Sequence, residues 1–331
     1  MNSPRYWIGI GLLAWMLHAC QPIDEIGALV PPTADQNPAL PALPVTVAGH
    51  TRLLYVQTFG QPGSPVLLFV HGSYTDSRAY RNLCESLASR YFVVLWDQRG
   101  CGLSERITEA EFSLAWSVEE IRQVREAYAP GQPVTVIGHS WGGGISTMFA
   151  AAYPEAVEQL VLLEPIPLTG SDMQQLFKTI VEFSYVNADW NSVSRQGEML
   201  SLRGHEQLDY RAMMMLRSSL TRNYHCDREH PPEWPVHRVG GQVETFRTRA
   251  LGSPFAGGFN YDFRAGIDQL QDTVLILGGS CSSLGYAVQL AYTKPHFPHA
   301  RTAEIPDAGH RMNIEQFERV MTELEAHLHA Y

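Results

Sequence analysis

From about residue 45 onward, short apolar or alternating runs are separated by amphipathic segments. Apolar runs of about four to eight residues predict strands that are covered on both faces of a sheet. The predicted strands are TRLLYVQTF (51–59), VLLFV (66–70), YFVVLW (91–96), VTVIG (134–138), QLVLLE (159–164), TVLIL (273–277) and RTAEIP (301–306).

The amphipathic segments between these strands predict helices. One of them is expected to begin at Ser117, because Glu120 follows three residues later in a capping-box pattern. Alternating strands and helices imply an α/β fold with a doubly wound, mostly parallel sheet. The predicted helices are 76–90, 117–128, 141–153, 285–292 and one that starts at Asn313.

Residues 168–262 break this alternation. They carry mostly helical periodicity with many aromatic and Met residues, and they include the breaker-rich stretch HPPEWPVH. We interpret them as a helical cap over the carboxyl ends of the strands, where such sheets bind ligands. Residues 45–167 and 263–331 would then form the core.

The N-terminal segment differs from the rest of the chain. Residues 1–19 hold one basic residue and an apolar run of about a dozen residues, which is short for a membrane span and typical of an export signal. The Leu-His-Ala-Cys at residues 17–20 resembles the lipobox of bacterial lipoproteins, with lipidation at Cys20. Ordinary cleavage near Ala19 is the alternative. The Pro-rich residues 20–44 predict an extended tether. We therefore expect an exported, lipid-anchored protein of the bacterial cell envelope.

Charge and cysteine content narrow the possible partners. The net charge is −10, and the chain has no run rich in Lys or Arg, so nucleic acid is not an expected partner. Export permits disulfides, but spacing does not decide between a pair and free thiols. Beyond Cys20 the cysteines are Cys84, Cys101, Cys226 and Cys281.

The stretch VTVIGHSWGGG (134–144) matches the nucleophile-elbow pattern G-x-S-x-G between a buried strand and a helix. In that turn the middle residue adopts positive φ, and Ser140 would present its hydroxyl at a helix N-terminus. Ser140 is therefore the candidate nucleophile. The backbone N–H of Trp141, paired with that of Ser73 in the His-Gly-Ser loop after strand 66–70, would form the oxyanion hole. His71 is interpreted as structural.

His310 is the candidate general base. It follows a Gly in the loop between the last strand and the last helix, and among thirteen His it alone has the required element order. His139 lies in the elbow but should point away from the Ser140 hydroxyl. The cap stretch HCDREHPPEWPVH (225–237) matches no zinc spacing and predicts a solvated loop. Nothing in the sequence indicates a metal, a cofactor or a defined oligomer.

Together these motifs resemble the α/β-hydrolase superfamily, from about residue 50 to the end. LWDQRGCGLS (95–104) is particularly similar to proline iminopeptidases, although the oxyanion loop here reads HGSYT where those enzymes have His-Gly-Gly-Pro-Gly. The resemblance implies an inserted cap, and Asp97 and Arg99 would brace the oxyanion loop. Relatives with an Asp nucleophile, the haloalkane dehalogenases and epoxide hydrolases, are disfavoured by Ser140.

The superfamily usually carries its catalytic acid after the strand that here reads TVLIL, as Gly-x-x-Asp. In this chain that position is Cys281, and no Asp or Glu occurs in VLILGGSCSSLG (274–285). Glu164 ends the strand that follows the elbow helix, and some haloalkane dehalogenases take their acid from this strand end. We therefore predict that Glu164 orients His310, a task that requires proximity alone.

Three hypotheses about function follow. The first is a serine hydrolase that cleaves a carboxylic ester or related small acyl substrate through an acyl-enzyme intermediate. The second is an exported aminopeptidase similar to proline iminopeptidases, in which acidic cap residues such as Glu198 or Glu206 would bind a free amine. The third is a binding protein with this fold whose acid site has decayed.

Overall fold

The computed structural model describes residues 31–184, 205, 208–209, 212, 224–253, 257–270 and 274–328. In these residues the strands are β1 (Ala42–Val47), β2 (His50–Phe59), β3 (Val66–Val70), β4 (Phe92–Trp96), β5 (Val134–His139), β6 (Val157–Leu163), β7 (Gly252–Ser253), β8 (Gly258–Phe259), β9 (Val274–Gly279) and β10 (Arg301–Ile305).

The described helices lie between these strands. The α-helices are α1 (Arg81–Leu87), α2 (Leu114–Tyr128), α3 (Trp141–Ala152), α4 (Gly170–Ser184), α5 (Gly241–Leu251), α6 (Tyr286–Val288), α7 (Met312–Glu315) and α8 (Phe317–Leu328). A π-helical turn, Gln289–Thr293, follows α6, and short 3₁₀ turns occur at Ser77–Tyr80, Glu109–Glu111, Pro154–Ala156, Ile267–Gln269 and Lys294–His296.

Eight strands form one sheet in the order β1-β2-β4-β3-β5-β6-β9-β10. The pairs β1–β2 and β2–β4 are antiparallel, and all the other neighbours are parallel. The predicted doubly wound, mostly parallel sheet is therefore confirmed. The carboxyl ends of β5, β6 and β9 lie side by side, which places the residues after each of them at one edge.

The central strands are apolar on both faces because helices cover both sides of the sheet. On one face, Val136 packs in a cluster that includes Phe149 of α3. On the other face, Ile137 packs in a cluster that includes Leu83 of α1 and Leu324 of α8. Fully burying one such side chain contributes about 1.5–3 kcal/mol.

Two element boundaries differ from those predicted. Helix α2 begins at Leu114, and its N-cap is Ser113, whose hydroxyl accepts a hydrogen bond from the Trp116 N–H at 3.2 Å. The capping box in this region is formed by Thr108 and Glu111, so the prediction based on Ser117 was wrong. The true cap lies four residues earlier because Ser113 has the extended backbone that an N-cap requires.

The folded domain also starts earlier than the predicted tether allows. Strand β1 begins at Ala42, and Thr33 and Ala34 are buried. The Ala34 N–H donates to the Leu103 carbonyl oxygen at 2.8 Å, so this part of residues 20–44 packs on the core. The predicted signal segment and Cys20 lie outside the described residues.

The described part of the cap includes helices α4 and α5, the short β7–β8 hairpin and the segment from residue 224 to α5. The candidate residues Glu198 and Glu206 lie outside the described residues. Within the part of the chain that the structure describes, no helix combines the length and hydrophobicity needed to cross a bilayer.

Candidate active site

Ser140 occupies the sharp turn between β5 and α3. Its backbone lies at φ 53° and ψ −120°, a conformation that costs a non-glycine residue about 1–3 kcal/mol. The flanking glycines make this turn possible: a Cβ on Gly142 would lie 2.3 Å from the Val70 carbonyl oxygen. A Cβ on Gly138 would lie 2.6 Å from the Gly142 carbonyl oxygen. The turn therefore has the conformation of a nucleophile elbow.

The His-Gly-Ser loop after β3 packs directly against this turn. A Cβ on Gly72 would lie 3.1 Å from the Ser140 Cβ. Among the described residues, neither the Ser73 N–H nor the Trp141 N–H has a hydrogen-bond acceptor. The two predicted oxyanion donors thus belong to adjacent segments and are not engaged by the protein itself.

The His71 side chain holds the shape of this loop. Its Nδ1 donates to the Gly72 carbonyl oxygen at 2.8 Å, so its Nε2 accepts the Gln98 N–H at 3.0 Å. The Gln98 Nε2 in turn donates to the His71 carbonyl oxygen at 2.7 Å. Burial lowers the pKa of His71 to about 4, which keeps the ring neutral in this role.

Asp97 and Arg99 act differently from one another. The Asp97 carboxylate accepts the Ser77 N–H at 2.7 Å and the Leu103 N–H at 2.6 Å, which ties the turn after the oxyanion loop to the segment after β4. Arg99 instead pairs with Glu120 at 2.8 Å, behind the loop. The expectation that Arg99 braces the oxyanion loop was therefore wrong, and its neighbour Gln98 makes that contact.

A residue of the cap touches both predicted oxyanion residues. The Arg247 Nη1 donates to the Ser73 hydroxyl, and the Arg247 guanidinium lies 3.9 Å from the centre of the Trp141 ring. Glu244, one turn earlier in α5, accepts from the same Nη1 through both carboxylate oxygens. The sequence offered no signal for this contact, because 174 residues separate Ser73 and Arg247.

The structure brings His310 and Glu164 together. The His310 Nδ1 and the Glu164 Oε2 lie 2.6 Å apart, and Glu164 is completely buried at the end of β6. The backbone of Glu164 lies at φ 40°, in the left-handed region that non-glycine residues rarely adopt. A strained backbone that aims a buried carboxylate at an imidazole is typical of a functional site.

The end of β9 holds the Glu164 carboxylate. The Gly279 N–H donates to the Glu164 Oε1 at 2.6 Å. Burial raises the pKa of Glu164 to about 7 and lowers that of His310 to about 3. Because the two groups share a hydrogen bond, the first proton taken up near pH 7 belongs to the pair.

His139 lies between the oxyanion loop and the histidine loop. Its Nε2 donates to the His310 carbonyl oxygen at 2.9 Å, so its Nδ1 accepts the Tyr80 hydroxyl at 2.8 Å. The Tyr80 hydroxyl also accepts the Gly72 N–H at 3.5 Å. The His139 and His310 ring centres are 4.5 Å apart, which places the His310 imidazole beside the elbow.

The prediction of a solvated cap loop at 225–237 was wrong for several of its residues. His225 is buried, Trp234 packs against Tyr80 and His139, and Cys226 forms a disulfide with Cys281. Cys226 and Cys281 are 55 residues apart in the chain, so no local sequence pattern could have predicted that they pair. His230, with 82% of its side chain exposed, does lie in solvent.

The disulfide also changes the interpretation of the position where the acid is usually found. Cys281, which stands at that position, is bonded to Cys226 of the cap. Cys84 and Cys101 are free and buried. No group of three or more His, Cys, Asp or Glu side chains suited to a metal ion occurs in the described residues.

Comparisons with known proteins agree with this architecture. The chain is 33% identical over 133 residues to Epoxide hydrolase 1 of Caenorhabditis elegans, and 32% identical over 126 residues to a proline iminopeptidase of Thermoplasma volcanium. These alignments cover 40% and 37% of this chain and 32% and 42% of those proteins, so the chain spans less than half the length of either relative. The predicted resemblance to proline iminopeptidases is confirmed.

Among solved structures, a membrane phospholipase A described as a bacterial virulence factor superposes with a TM-score of 0.62, at 18% identity and 99% coverage of both chains. Est816, an enzyme described as degrading N-acyl homoserine lactones, superposes with a TM-score of 0.60, at 17% identity over 86% of this chain and 99% of that one. At these identities the likeness shows the fold. A family model described as alpha/beta hydrolase fold matches residues 65–317, and the chain therefore belongs to the alpha/beta hydrolase fold family.

Proposed function

We propose that this protein is a serine hydrolase that cleaves a carboxylic ester or a related acyl substrate through an acyl-enzyme intermediate. The observation that carries the proposal is the 2.6 Å contact between the His310 Nδ1 and the Glu164 Oε2, beside a strained serine elbow. Nucleophile, base and acid are the three groups that this chemistry needs, and they come from the ends of β5, the last β–α loop and β6.

In the proposed mechanism, Glu164 accepts the Nδ1–H of His310 and thereby leaves Nε2 free to act as the base. His310 Nε2 takes the Ser140 hydroxyl proton as the oxygen attacks the substrate carbonyl carbon. The negative charge moves to the carbonyl oxygen, which the Ser73 and Trp141 N–H groups would stabilise. His310 then gives its proton to the leaving alkoxide. Water repeats the sequence on the acyl-enzyme, releasing the carboxylic acid and free Ser140.

The aminopeptidase hypothesis is the second candidate, since the chain resembles proline iminopeptidases over 126 residues. Such an enzyme needs an acidic group in the cap to bind the substrate amine. Glu244 lies beside the oxyanion loop, but Arg247 already engages both of its carboxylate oxygens. Within the part of the cap that the structure describes, this pairing leaves Glu244 without a free charge for an amine, which favours the esterase.

The third hypothesis, a binding protein with a decayed acid site, rested on the missing Asp at Cys281. The Glu164 carboxylate, which comes from the end of β6, accepts the Gly279 N–H and contacts the His310 Nδ1. His310 therefore has a carboxylate partner although position 281 is not Asp. This arrangement favours an active enzyme.

A fluorophosphonate probe and a pair of substrates test the proposal. We expect the probe to label the wild-type protein and not Ser140→Ala, and we expect short acyl esters of p-nitrophenol to be hydrolysed. Hydrolysis of a fluorogenic proline amide without any ester hydrolysis would establish the aminopeptidase instead. Absence of both labelling and turnover in folded protein would support the binding-protein hypothesis.

We further propose that the protein is exported and lipid-anchored through Cys20, with the membrane as its partner. The lipobox-like sequence at 17–20 supports this, and so does the Cys226–Cys281 disulfide, because disulfides persist in oxidising compartments. Metabolic labelling with a fatty acid in a bacterial host should mark the wild type and leave Cys20→Ala unlabelled. Equal recovery of both proteins in the aqueous phase after detergent partitioning would contradict the anchor.

A further inference from the structure

The cap segment 224–226 lies directly on the loop that carries His310. The Tyr224 carbonyl oxygen accepts the His310 backbone N–H at 2.5 Å, and the two ring centres are 5.3 Å apart. A Cβ placed on Gly309 would lie 2.1 Å from the same carbonyl oxygen. The segment and the loop are therefore in direct backbone contact, and the position of His310 depends on where the segment lies.

Glu315 joins the same segment and loop. Its Oε2 accepts the Gly309 N–H at 2.8 Å, and its Oε1 contacts the His225 Nδ1 at 2.8 Å. The Cys226 N–H also donates to the Glu315 Oε2 at 3.4 Å. Both side chains are nearly inaccessible, with 9% of Glu315 and 2% of His225 exposed, so water competes little for these hydrogen bonds.

The Cys226–Cys281 disulfide closes this arrangement on the side of the acid. Cys281 lies two residues after Gly279, whose N–H holds the Glu164 carboxylate. The Cys281 N–H donates to the Ala308 carbonyl oxygen at 3.0 Å, two residues before His310. The disulfide thus connects the cap segment to residues 279–281, which contact both the Glu164 carboxylate and the loop that carries His310.

We propose that the cap segment 224–226, fixed by Glu315 and by the Cys226–Cys281 disulfide, positions His310 for proton transfer. Glu315, Cys226 and Cys281 are positioning residues, and the inference rests on the proposed function, in which His310 is the base. A displacement of about 1 Å in a catalytic group can cost about 10²-fold in rate, so turnover should depend on whether the disulfide is intact.

A purely structural role for the disulfide makes a different prediction. Closing a loop of 55 residues stabilises the folded state against unfolding, because the cross-link lowers the chain entropy of the unfolded state. That effect alone would leave kcat unchanged as long as the protein remains folded. A change of kcat in folded protein therefore separates positioning from stabilisation.

The first test reduces the disulfide in the folded wild-type protein with dithiothreitol. The reagent supplies two electrons and two protons, the S–S bond breaks, Cys226 and Cys281 become thiols, and the reagent becomes its cyclic disulfide. We expect kcat for a short acyl ester to fall about tenfold while KM changes by less than twofold, in protein that retains its circular dichroism. Reoxidation should restore kcat.

Two variants serve as matched controls for this test. Cys84→Ala removes a buried free thiol and should keep both the wild-type kcat and its sensitivity to the reagent. Cys226→Ser/Cys281→Ser should have the lowered kcat from the start and should no longer respond. An unchanged wild-type kcat, when thiol titration shows that both sulfurs are reduced, would overturn the proposal.

The second test compares Glu315→Gln with Glu315→Leu. The Gln carbonyl oxygen can still accept the Gly309 N–H, and its amide can donate to the His225 Nδ1 once that ring changes tautomer. We expect Glu315→Gln to retain kcat within about threefold and Glu315→Leu to lose it by 10-fold or more, roughly the cost of a small misplacement. Equal kcat in the two folded variants would overturn the role of Glu315.

Hydrogen exchange tests the positioning role independently of the proposed function, because it does not depend on turnover. Reduction should increase amide exchange at residues 307–312 and leave the strand before the elbow, 134–139, unchanged. If no ester is hydrolysed, the proposed function fails. Unchanged exchange at 307–312 would independently refute the proposal that the disulfide holds the loop that carries His310. If exchange increases while kcat stays constant, the proposed function stands and the positioning role is refuted.

Discussion

Strands β6 and β9 are neighbours in the sheet, but their carboxyl ends differ in sequence and in backbone conformation. The β6 end carries a buried carboxylate, Glu164, on a strained backbone at φ 40°. The β9 end carries Gly279, Cys281 and Ser282, without a carboxylate, and none of these has positive φ. One strand end thus presents a carboxylate, and the other presents a backbone N–H that holds it.

The difference shows which property the acid position requires. The Glu164 carboxylate contacts the His310 Nδ1 at 2.6 Å from one strand end, and the Gly279 N–H fixes it from the other. An acid that orients an imidazole needs proximity and a buried, hydrogen-bonded setting, and either strand end provides both. The absence of Asp near Cys281 is therefore compatible with an active enzyme in this fold.

Removing the charge at the β6 end should have the largest effect. We expect Glu164→Gln to lower kcat by about 10³-fold or more, because the amide can stabilise the wrong tautomer of His310 and cannot stabilise its cation. The exposed carboxylate of Glu304 on β10 provides the control, and Glu304→Gln should keep wild-type kcat. A loss of kcat of less than threefold in Glu164→Gln would mean that the β6 end does not supply the acid for His310.

The pH profile tests how the pair at the β6 end takes up protons. Burial raises the pKa of Glu164 to about 7, and in the proposed mechanism the active form is the pair in which Glu164 is ionised and His310 is neutral. We therefore expect kcat/KM to be constant above that pH and to fall about tenfold per unit below it. In Glu164→Gln the acidic fall of kcat/KM should move to lower pH, since burial then lowers the pKa of His310 without a carboxylate to oppose it. A profile that is flat from pH 5 to 8 would contradict this assignment.

Returning the acid to the β9 end would exchange the two roles. We expect Glu164→Gln/Cys226→Ser/Cys281→Asp to have about tenfold higher kcat than Glu164→Gln/Cys226→Ser/Cys281→Ser, because position 281 is two residues from Gly279 and its backbone contacts the histidine loop. Steady-state kinetics on one acyl ester would measure the ratio. Equal kcat in the two triple variants would show that this strand end no longer reaches His310.

Tyr80 acts on the backbone of the site, away from the strand ends, and its loss should have the smallest effect on turnover. Tyr80→Phe leaves the His139 Nδ1 buried without a donor, which should lower the free energy of unfolding by about 1–3 kcal/mol. We expect kcat to fall less than in any of the Glu164 variants. Urea unfolding would measure the stability, and an unchanged free energy of unfolding would rule out the Tyr80–His139 hydrogen bond.

Features that depend on residues close together in the chain could be predicted from the sequence. The alternation of apolar runs and amphipathic segments predicted the doubly wound sheet, which is confirmed. Ser140 and His310 were selected as candidates because each stands in a loop whose flanking elements follow directly in the chain, and their catalytic roles stay predictions. Glu164 was a different case: it was selected because the β9 end lacked a carboxylate, and its catalytic role stays a prediction.

Contacts between distant parts of the chain could not be predicted in this way. The partner of Cys281, the contact of Glu315 with His225 and the contact of Arg247 with Ser73 join residues 55, 90 and 174 positions apart. Their partners lie in the cap, where periodicity identified helices but not the side on which each one packs. The error at Arg99 has the same origin, since its neighbour Gln98 points to the oxyanion loop and Arg99 points to Glu120.

The sequence by itself therefore determined the class of fold, the sharp turn at Ser140 and the loop that presents His310, because apolar periodicity and glycine placement act over a few residues. The tertiary structure decided which carboxylate reaches His310 and which cap residues hold the histidine loop. Those outcomes depend on strand order and on the packing of the cap over the sheet, which bring together residues that carry no local signal of their proximity.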